Sequence, residues 1–238
     1  MRFATFFVAL FLFTTAFAEK QTLTDKKGRK IEVEIEKANE TDVWVKLANR
    51  KTVQIKRSLL IDDDQKVIDE WLKSALPQIK VDPKLARGLK KSDLTSWQKV
   101  QSLELSIDLE NKDLNIGIED AQVTVYLVGR AEWNKTIFKV LKVQSEKVEI
   151  SKDDTTTVNF DKLKNYYSAT RGFHALKYVV HVQRESDKKL IYLGSDNSVL
   201  SKRGSEIIEL SEGDVVKSDY TTKLDASENL YYSQTVVQ

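Results

Sequence analysis

Hydrophobic and polar residues alternate along residues 22–60, in short runs that polar turns separate. The apolar positions of these runs are Ile31, Val33, Ile35, Val43, Val45, Leu47, Val53 and Ile55. A period of two is typical of strands that place one face in a core. Gly28 and Asn49-Arg50 mark two of the turns. The pattern predicts a small β unit in which Trp44 lies on the opposite face of its strand from Val43 and Val45.

A helix is predicted to close this first unit. Its start is marked by three successive carboxylates, Asp62, Asp63 and Asp64, which interact favourably with the positive end of a helix dipole. Apolar residues then follow at helical spacing and share one face: Val67, Ile68, Trp71 and Leu72. We expect Asp62 to cap the helix, the apolar face to cover the sheet, and the unit to span residues 19–74.

A linker is predicted after the helix. Pro77 and Pro83, the two prolines of the chain, both lie here, and proline interrupts regular structure. The surrounding residues are basic: Lys80, Lys84, Arg87, Lys90 and Lys91. We interpret residues 75–97 as a solvated linker; the alternative is a basic patch that contacts an acidic partner.

Residues 98–210 show a longer series of alternating segments. Strands are predicted around Leu103–Leu109, Val123–Leu127, Ile137–Val143, Val148–Ile150, Thr155–Phe160, Ala175–Gln183, Leu190–Leu193 and Ile207–Leu210. No long helical pattern alternates with them, which favours antiparallel sheets packed as a sandwich. Residues 211–238 are less regular and are expected to form a C-terminal tail, with a brief helix that starts near Asp225.

The first eighteen residues have the pattern of a secretory signal peptide. Arg2 precedes the apolar run Phe3–Phe13, and Ala16 and Ala18 occupy the positions that a signal peptidase requires. The run is too short for a retained membrane span. We expect cleavage near Ala18 and a secreted or periplasmic protein without membrane attachment. The chain has no cysteine, which fits a bacterial envelope protein and leaves no thiol for lipid anchoring.

Composition and motifs exclude several function classes. The chain is 41% hydrophobic and 31% charged, as folded proteins are, and its net charge of +2 shows no clustered excess that would favour nucleic-acid binding. Phosphate-binding loops, the nucleophile elbow and the His-Glu-x-x-His motif are all missing. Residues 111–122 superficially match a calcium loop, but Gln122 stands where glutamate is required.

Two histidines are the remaining candidates for metal or acid–base chemistry. His174 and His181 are separated by an odd number of positions in a predicted strand, so we expect them on opposite faces, unable to share a metal. We therefore nominate no catalytic, cofactor-binding or metal-binding residue, and expect a protein that needs no cofactor and is not an enzyme.

Aromatic side chains are the last candidates for binding. They are Trp44, Trp71, Trp97, Trp133, Tyr166, Tyr167, Tyr231 and Tyr232. Trp71 lies on the apolar face of the predicted helix and is interpreted as core. Trp44 opposes the apolar face of its strand and is the candidate partner-binding residue. An exposed row of such rings would instead suit the stacking of sugar rings.

The first unit resembles a known family in several short stretches. They are Leu23-Thr24-Asp25, Gly28-Arg29-Lys30-Ile31-Glu32, Val43-Trp44-Val45-Lys46-Leu47 and Asp64-Gln65 ahead of Trp71-Leu72. Over residues 21–73 they are similar to the small SH3-like barrel that forms the first homology domain of a yeast actin-patch endocytic adaptor. Copies also occur in secreted proteins of Planctomycetes and Verrucomicrobia. The adaptor domain binds a short peptide motif, so the resemblance implies a non-catalytic binding or spacing module.

The sequence departs from that family at two positions. Asn49-Arg50 replaces the usual glycine turn, which requires another turn type or strain at Arg50. Ile61 replaces a serine that commonly caps the helix, which leaves Asp62 as the expected cap. The second block more loosely resembles the immunoglobulin-like sandwiches found downstream of this module in related bacterial proteins, in Leu105–Asn111 and Val123–Arg130.

These observations predict an all-β protein with a few short helices: a small SH3-like barrel plus an immunoglobulin-like β-sandwich. The expected function is that of a secreted, non-enzymatic interaction or scaffolding protein of the bacterial cell envelope, whose partner is a protein or peptide. The alternatives are a polysaccharide-binding module that uses exposed aromatics and, third, a β-sandwich hydrolase.

Overall fold

The computed structural model describes residues 20–91, 98–169 and 171–224. Internal contacts divide the chain into two units with their boundary between Ala75 and Leu76, one residue beyond the predicted end of the first unit. Strands predominate in both units, and the predicted all-β class, of barrel and sandwich type, is confirmed. The predicted signal peptide and the helix predicted near Asp225 lie outside the described residues.

The first unit is a curled antiparallel sheet with a helix. Its strands are β1 (Gln21–Thr24), β2 (Lys30–Ala38), β3 (Asp42–Leu47) and β4 (Thr52–Lys56), paired in the order β1-β2-β3-β4. A 3-10 turn, Arg57–Leu59, and helix α1 (Asp62–Ser74) follow. The predicted tip at Asn49-Arg50 is a tight turn in which Arg50 takes the left-handed conformation, with φ of 63°.

The core of the first unit joins the sheet to the helix. Val33, Val43 and Val45 from the sheet are buried with Ile68 from α1, which has no exposed surface. The helix face was therefore predicted correctly, but its cap was not. Ile61 is the N-cap and Asp62 is already helical, because Ile61 N–H donates to Thr24 O at 3.1 Å and holds the chain extended beside β1 up to Ile61.

The second unit is a sandwich of two antiparallel sheets. Its strands are β5 (Ile79–Lys91), β6 (Lys99–Asn111), β7 (Ile118–Ala131), β8 (Ile137–Ile150), β9 (Thr155–Asn159), β10 (Leu163–Tyr167), β11 (Phe173–Arg184), β12 (Leu190–Gly194) and β13 (Val215–Lys217). One sheet has β6 between β5 on one side and β9 and β10 on the other; the second has the order β12-β11-β7-β8-β13. The chain changes sheets after β6, β8 and β10. The order β12-β11-β7 matches the G-F-C sheet of immunoglobulin-type sandwiches, with β8 and β13 added beside β7.

The linker predicted over residues 75–97 is wrong for most of its length. Residues 79–91 form β5, which pairs with β6 from Ile79↔Asn111 to Lys91↔Lys99. Apolar residues of β5, including Val81 and Leu85, pack against the sandwich core. Pro83 is accommodated because β5 pairs only with β6 in the described part of the chain, and proline is tolerated in edge strands.

Two further predictions fail near the C-terminus. Ile207–Leu210 is not a strand: helices α2 (Ser198–Lys202) and α3 (Gly204–Ile207) precede it, and the chain turns after Ile207. Leu200, Ile207 and Leu210 from this segment cover the outer face of the second sheet. The predicted tail also begins too early, since Val215–Lys217 pairs with β8.

These elements leave the two outer faces of the sandwich different. The core lies between the sheets, and the helices bury a second apolar layer outside the β11-β7-β8 sheet. The outer face of β5 and β6 is covered by no element within the described residues of this unit and carries ion pairs such as Lys84–Asp108.

Candidate functional site

Trp44 lies on the outer face of the first sheet, as predicted. Its neighbours in β3, Val43 and Val45, are fully buried in the core, so the indole points away from it. Across the sheet its register partners are Lys37 on β2 and Gln54 on β4. The indole is half-buried, and Lys37 Nζ lies 5.6 Å from its ring centroid, at cation–π distance. Partner binding by Trp44 stays a prediction.

Polar and charged side chains surround this indole. Glu36 accepts a hydrogen bond from Thr52 Oγ1 at 2.8 Å, and its second carboxylate oxygen lies 3.6 Å from Lys46 Nζ. Nearby, the hydroxyl of Thr41 donates to Asp42 and holds the pKa of that carboxyl below its usual range. The face therefore consists of one large aromatic side chain within an ion-paired surface.

Strand β4 borders this face and has an open edge. In the described part of the chain it pairs only with β3. All of its residues except Ile55 are exposed, and 39% of the Val53 surface is accessible. An edge strand of this kind can pair with an extended peptide through main-chain hydrogen bonds.

The prediction that His174 and His181 point to opposite faces is wrong. Phe173 and Ala175, which flank His174, belong to the sandwich core, and so do Val180 and Val182, which flank His181. A register shift between Ala175 and Lys177 inserts one residue and places both histidines on the outer side of the strand. They pair with β7 six residues apart, at Arg130 and Thr124, so about 20 Å separates them.

The contacts and burial of the two histidines define their surroundings. The Nδ1 atom of His174 lies 3.1 Å from Glu132 Oε1, and its ring stacks on Tyr167 with 5.0 Å between centroids. Burial lowers the pKa of both histidines. Burial also raises the pKa of Tyr178 and of Tyr220 to about 12, so these phenols stay protonated at neutral pH.

A buried polar pair in the sandwich has a structural explanation. Asn165 Nδ2 donates to Gln101 Oε1 at 2.9 Å and to Phe173 O at 2.7 Å. Gln101 in turn accepts from Ala175 N and donates to Ala175 O. These amides satisfy backbone groups of β11 where it faces β10, so they join the two sheets.

The acidic segments do not assemble a metal centre. In the 111–117 loop, Asp113 Oδ1 accepts from Asn115 N and Ile116 N at 2.8 and 3.0 Å, so it organises its own loop. At the start of α1, Asp64 accepts from Thr24 N–H and Asp63 pairs with Lys66. Within the described ranges, no group of three or more histidine and acidic side chains could hold a metal ion.

The other predicted aromatics do not form a row with Trp44. Trp71 packs partly buried against the core of the first unit, and Trp133 contacts Phe173 edge-to-face at 5.7 Å. Tyr167 is buried, and Tyr166 is half-buried on β10. Trp97, Tyr231 and Tyr232 lie outside the described residues.

The structure also brings together a basic surface, which the sequence analysis considered only as the alternative to a linker. Lys84 and Lys90 of β5 lie on the same outer face as Lys162 and Lys164, which are distant in sequence. The alternate basic positions of residues 80–90 were the available signal, but they were assigned to a linker.

Comparisons with known proteins add no family. No family model and no curated protein matches the chain. A crystal structure from Akkermansia muciniphila is 13% identical and covers 54% of this chain and 78% of that one, with a TM-score of 0.26. That score is too low to support an argument about fold or function. Among the described residues, no helix has the length and apolar character needed to cross a membrane.

Proposed function

We propose that this chain is a secreted, non-enzymatic interaction protein of the bacterial cell envelope, and that its first unit is an SH3-like module that holds a protein partner. The pattern of residues 1–18 supports export. The observation that carries the binding role is the position of Trp44, a large aromatic side chain on the open face of the sheet rather than in the core.

Trp44 has the properties of an interface anchor. Tryptophan is enriched among the residues that dominate binding energies, because it buries a large surface at small entropic cost. The surrounding Lys37, Glu36 and Lys46 supply a polar rim. A partner that covers the indole would convert a half-buried side chain into a fully buried one.

The open edge of β4 offers a second contact to the same partner. Gln54 of β4 is the register partner of Trp44. Only β4 would therefore separate the indole from an extended segment that pairs with the free edge of β4. Main-chain pairing would supply affinity, and Trp44 would supply selectivity.

The proposal is tested by using residues 19–238 as bait in an envelope extract of the source organism. Wild type, Trp44→Ala and a control, Leu59→Ala, are compared. Leu59 is a suitable control because it is an apolar side chain of the same unit, 57% exposed, on the 3-10 turn rather than on the sheet. The retained proteins are identified by mass spectrometry, and the dissociation constant of the purified partner is then measured.

We expect one protein to be retained by wild type and Leu59→Ala. Trp44→Ala should weaken its binding about thirtyfold, since truncating a tryptophan anchor costs about 2 kcal/mol or more. Equal retention by all three proteins would exclude the Trp44 face as the contact. Retention of glycan alone would contradict a protein partner.

A further inference from the structure

The outer face of the β5-β6 sheet contains a groove. Two adjoining depressions of about 700 and 480 Å³ lie on it and share Ala86, Glu104 and Lys162. Small residues lie in their floor, among them Gly88 and Ser102, which are register partners. Small residues at adjacent positions of two strands allow a ligand to approach the backbone closely.

The groove is basic. Four cationic side chains line it, Lys84, Lys90, Lys162 and Lys164, against the single carboxylate of Glu104. Asp108, which pairs with Lys84 at 2.5 Å, reduces the excess to two positive charges. This local excess is as large as the net charge of +2 that the whole chain carries.

The lysines differ in how they are paired. Lys84 is paired with Asp108 and Lys162 with Glu104. No ion pair involves the Lys90 or Lys164 ammonium groups among the residues that the structure describes, and both side chains are exposed. These two ammonium groups are therefore available to an anionic ligand.

The chemistry of the groove favours a glycan over an acidic protein. Lysine is depleted in protein interfaces, which rely on aromatic and arginine anchors. An extended peptide on the face of a sheet would leave its backbone groups without partners. A polysaccharide has no such groups, and its hydroxyls can bond with Ser102, Ser106 and Asn159, which line the same groove.

We propose that this groove, on the second unit, binds an anionic polysaccharide whose carboxylate or sulfate groups pair with Lys90 and Lys164 while its sugar hydroxyls contact the serine and asparagine side chains. This site is separate from the Trp44 face, and each proposal can fail without the other. A protein with both sites would attach a protein partner to an acidic glycan.

The test measures binding of residues 19–238 to polygalacturonate, which is carboxylated, and to heparin, which is sulfated. Dextran is the neutral control and poly-glutamate the acidic-peptide control. The groove variant is Lys90→Glu/Lys164→Glu. The matched variant is Lys135→Glu/Lys152→Glu, which makes the same change in net charge at exposed lysines elsewhere. Dissociation constants are measured at low and at physiological ionic strength.

We expect wild type to bind at least one anionic glycan but not dextran, with affinity that falls as salt screens the charges. The groove variant should bind about tenfold more weakly, and the matched variant should bind like wild type. Which glycan binds identifies the anionic group. Urea unfolding midpoints check that the variants fold, and Lys90→Gln/Lys164→Gln replaces the groove variant if reversal of charge unfolds it.

Three outcomes would overturn the proposal. They are no binding of either anionic glycan by wild type, equal loss of affinity in the groove and matched variants, and tighter binding of poly-glutamate than of both glycans. The second outcome would show attraction by net charge alone. The third would assign the groove to an acidic protein.

Discussion

At the scale of single residues, two glycines in strands differ in how much room an added side chain would have. A Cβ atom on Gly129 in β7 would lie 2.7 Å from Leu141 Cδ1 and 2.9 Å from Phe173 Cβ. The Leu141 methyl group can rotate, but Phe173 is fully buried and its Cβ is held by its own backbone. Gly129→Ala should therefore lower the free energy of unfolding by about 1–3 kcal/mol, the usual cost of overpacking.

Gly88 in β5 supplies the matched control for this prediction. A Cβ atom there would lie 3.6 Å from Ser102 Cβ, an ordinary contact. Gly88→Ala should be neutral or stabilising by up to about 1 kcal/mol, because alanine loses less backbone entropy on folding. The free energy of unfolding of both variants is measured by urea denaturation. Equal destabilisation would contradict the packing described around Gly129.

At the scale of elements, the assignment of β5 as a strand makes a prediction about proteolysis. Trypsin cleaves after lysine and arginine where the backbone is unfolded or can unfold locally. Lys84 and Arg87 would be cut early in a solvated linker, whereas in β5 both residues are paired with β6, opposite Ser106 and Leu103. We expect these sites to resist trypsin under native conditions.

The control site for proteolysis is Lys188, in the connection between β11 and β12. It lies in a tight turn with φ of 57° and is exposed, so cleavage there should precede cleavage in β5. Fragments are identified by mass spectrometry over a time course. Early cleavage after Lys84 or Arg87 would show that β5 is not stably paired with β6, which contradicts this prediction.

At the scale of the whole molecule, the two units should fold independently. Each has its own buried core, and the boundary lies between Ala75 and Leu76. A fragment of residues 76–238 should unfold cooperatively, with a midpoint close to that of the second unit in the full chain. A fragment of residues 98–238, which starts where the sandwich was predicted, lacks β5 and should lose this cooperativity.

The comparison of these two fragments is measured by circular dichroism and urea unfolding. Loss of β5 removes Val81 and Leu85 from the core and exposes the edge of β6, which should also promote aggregation. Equal stability of the two fragments would mean that β5 contributes nothing to the sandwich.

The first unit could be predicted in detail because its information is local. Val33, Val43 and Val45 alternate with polar residues, and Ile68 falls on a helical face; each pattern matches the period of its element. The same local pattern placed Trp44 outside the core. The N-cap was predicted one residue too late, at Asp62, because no local pattern shows that Ile61 N–H donates a hydrogen bond to Thr24 O in β1.

The second unit was harder because its decisive contacts join residues that are far apart in sequence. The basic residues of β5 resemble a linker until Leu85 is seen packed on the core. Leu200 and Ile207 lie in helices and Leu210 follows them, and all three are buried against the outer face of the second sheet, a contact that the local pattern does not show. One register shift in β11 moved His174 to the same side as His181.

The sequence alone determined the β class, the elements of the first unit and the orientation of Trp44, because each depends on periodicity within a short window. The tertiary structure alone decided the strand order of the sandwich and the basic groove. Lys90 and Lys164 lie many residues apart and come together only because β5 and β10 both pair with β6, and no local pattern encodes that pairing.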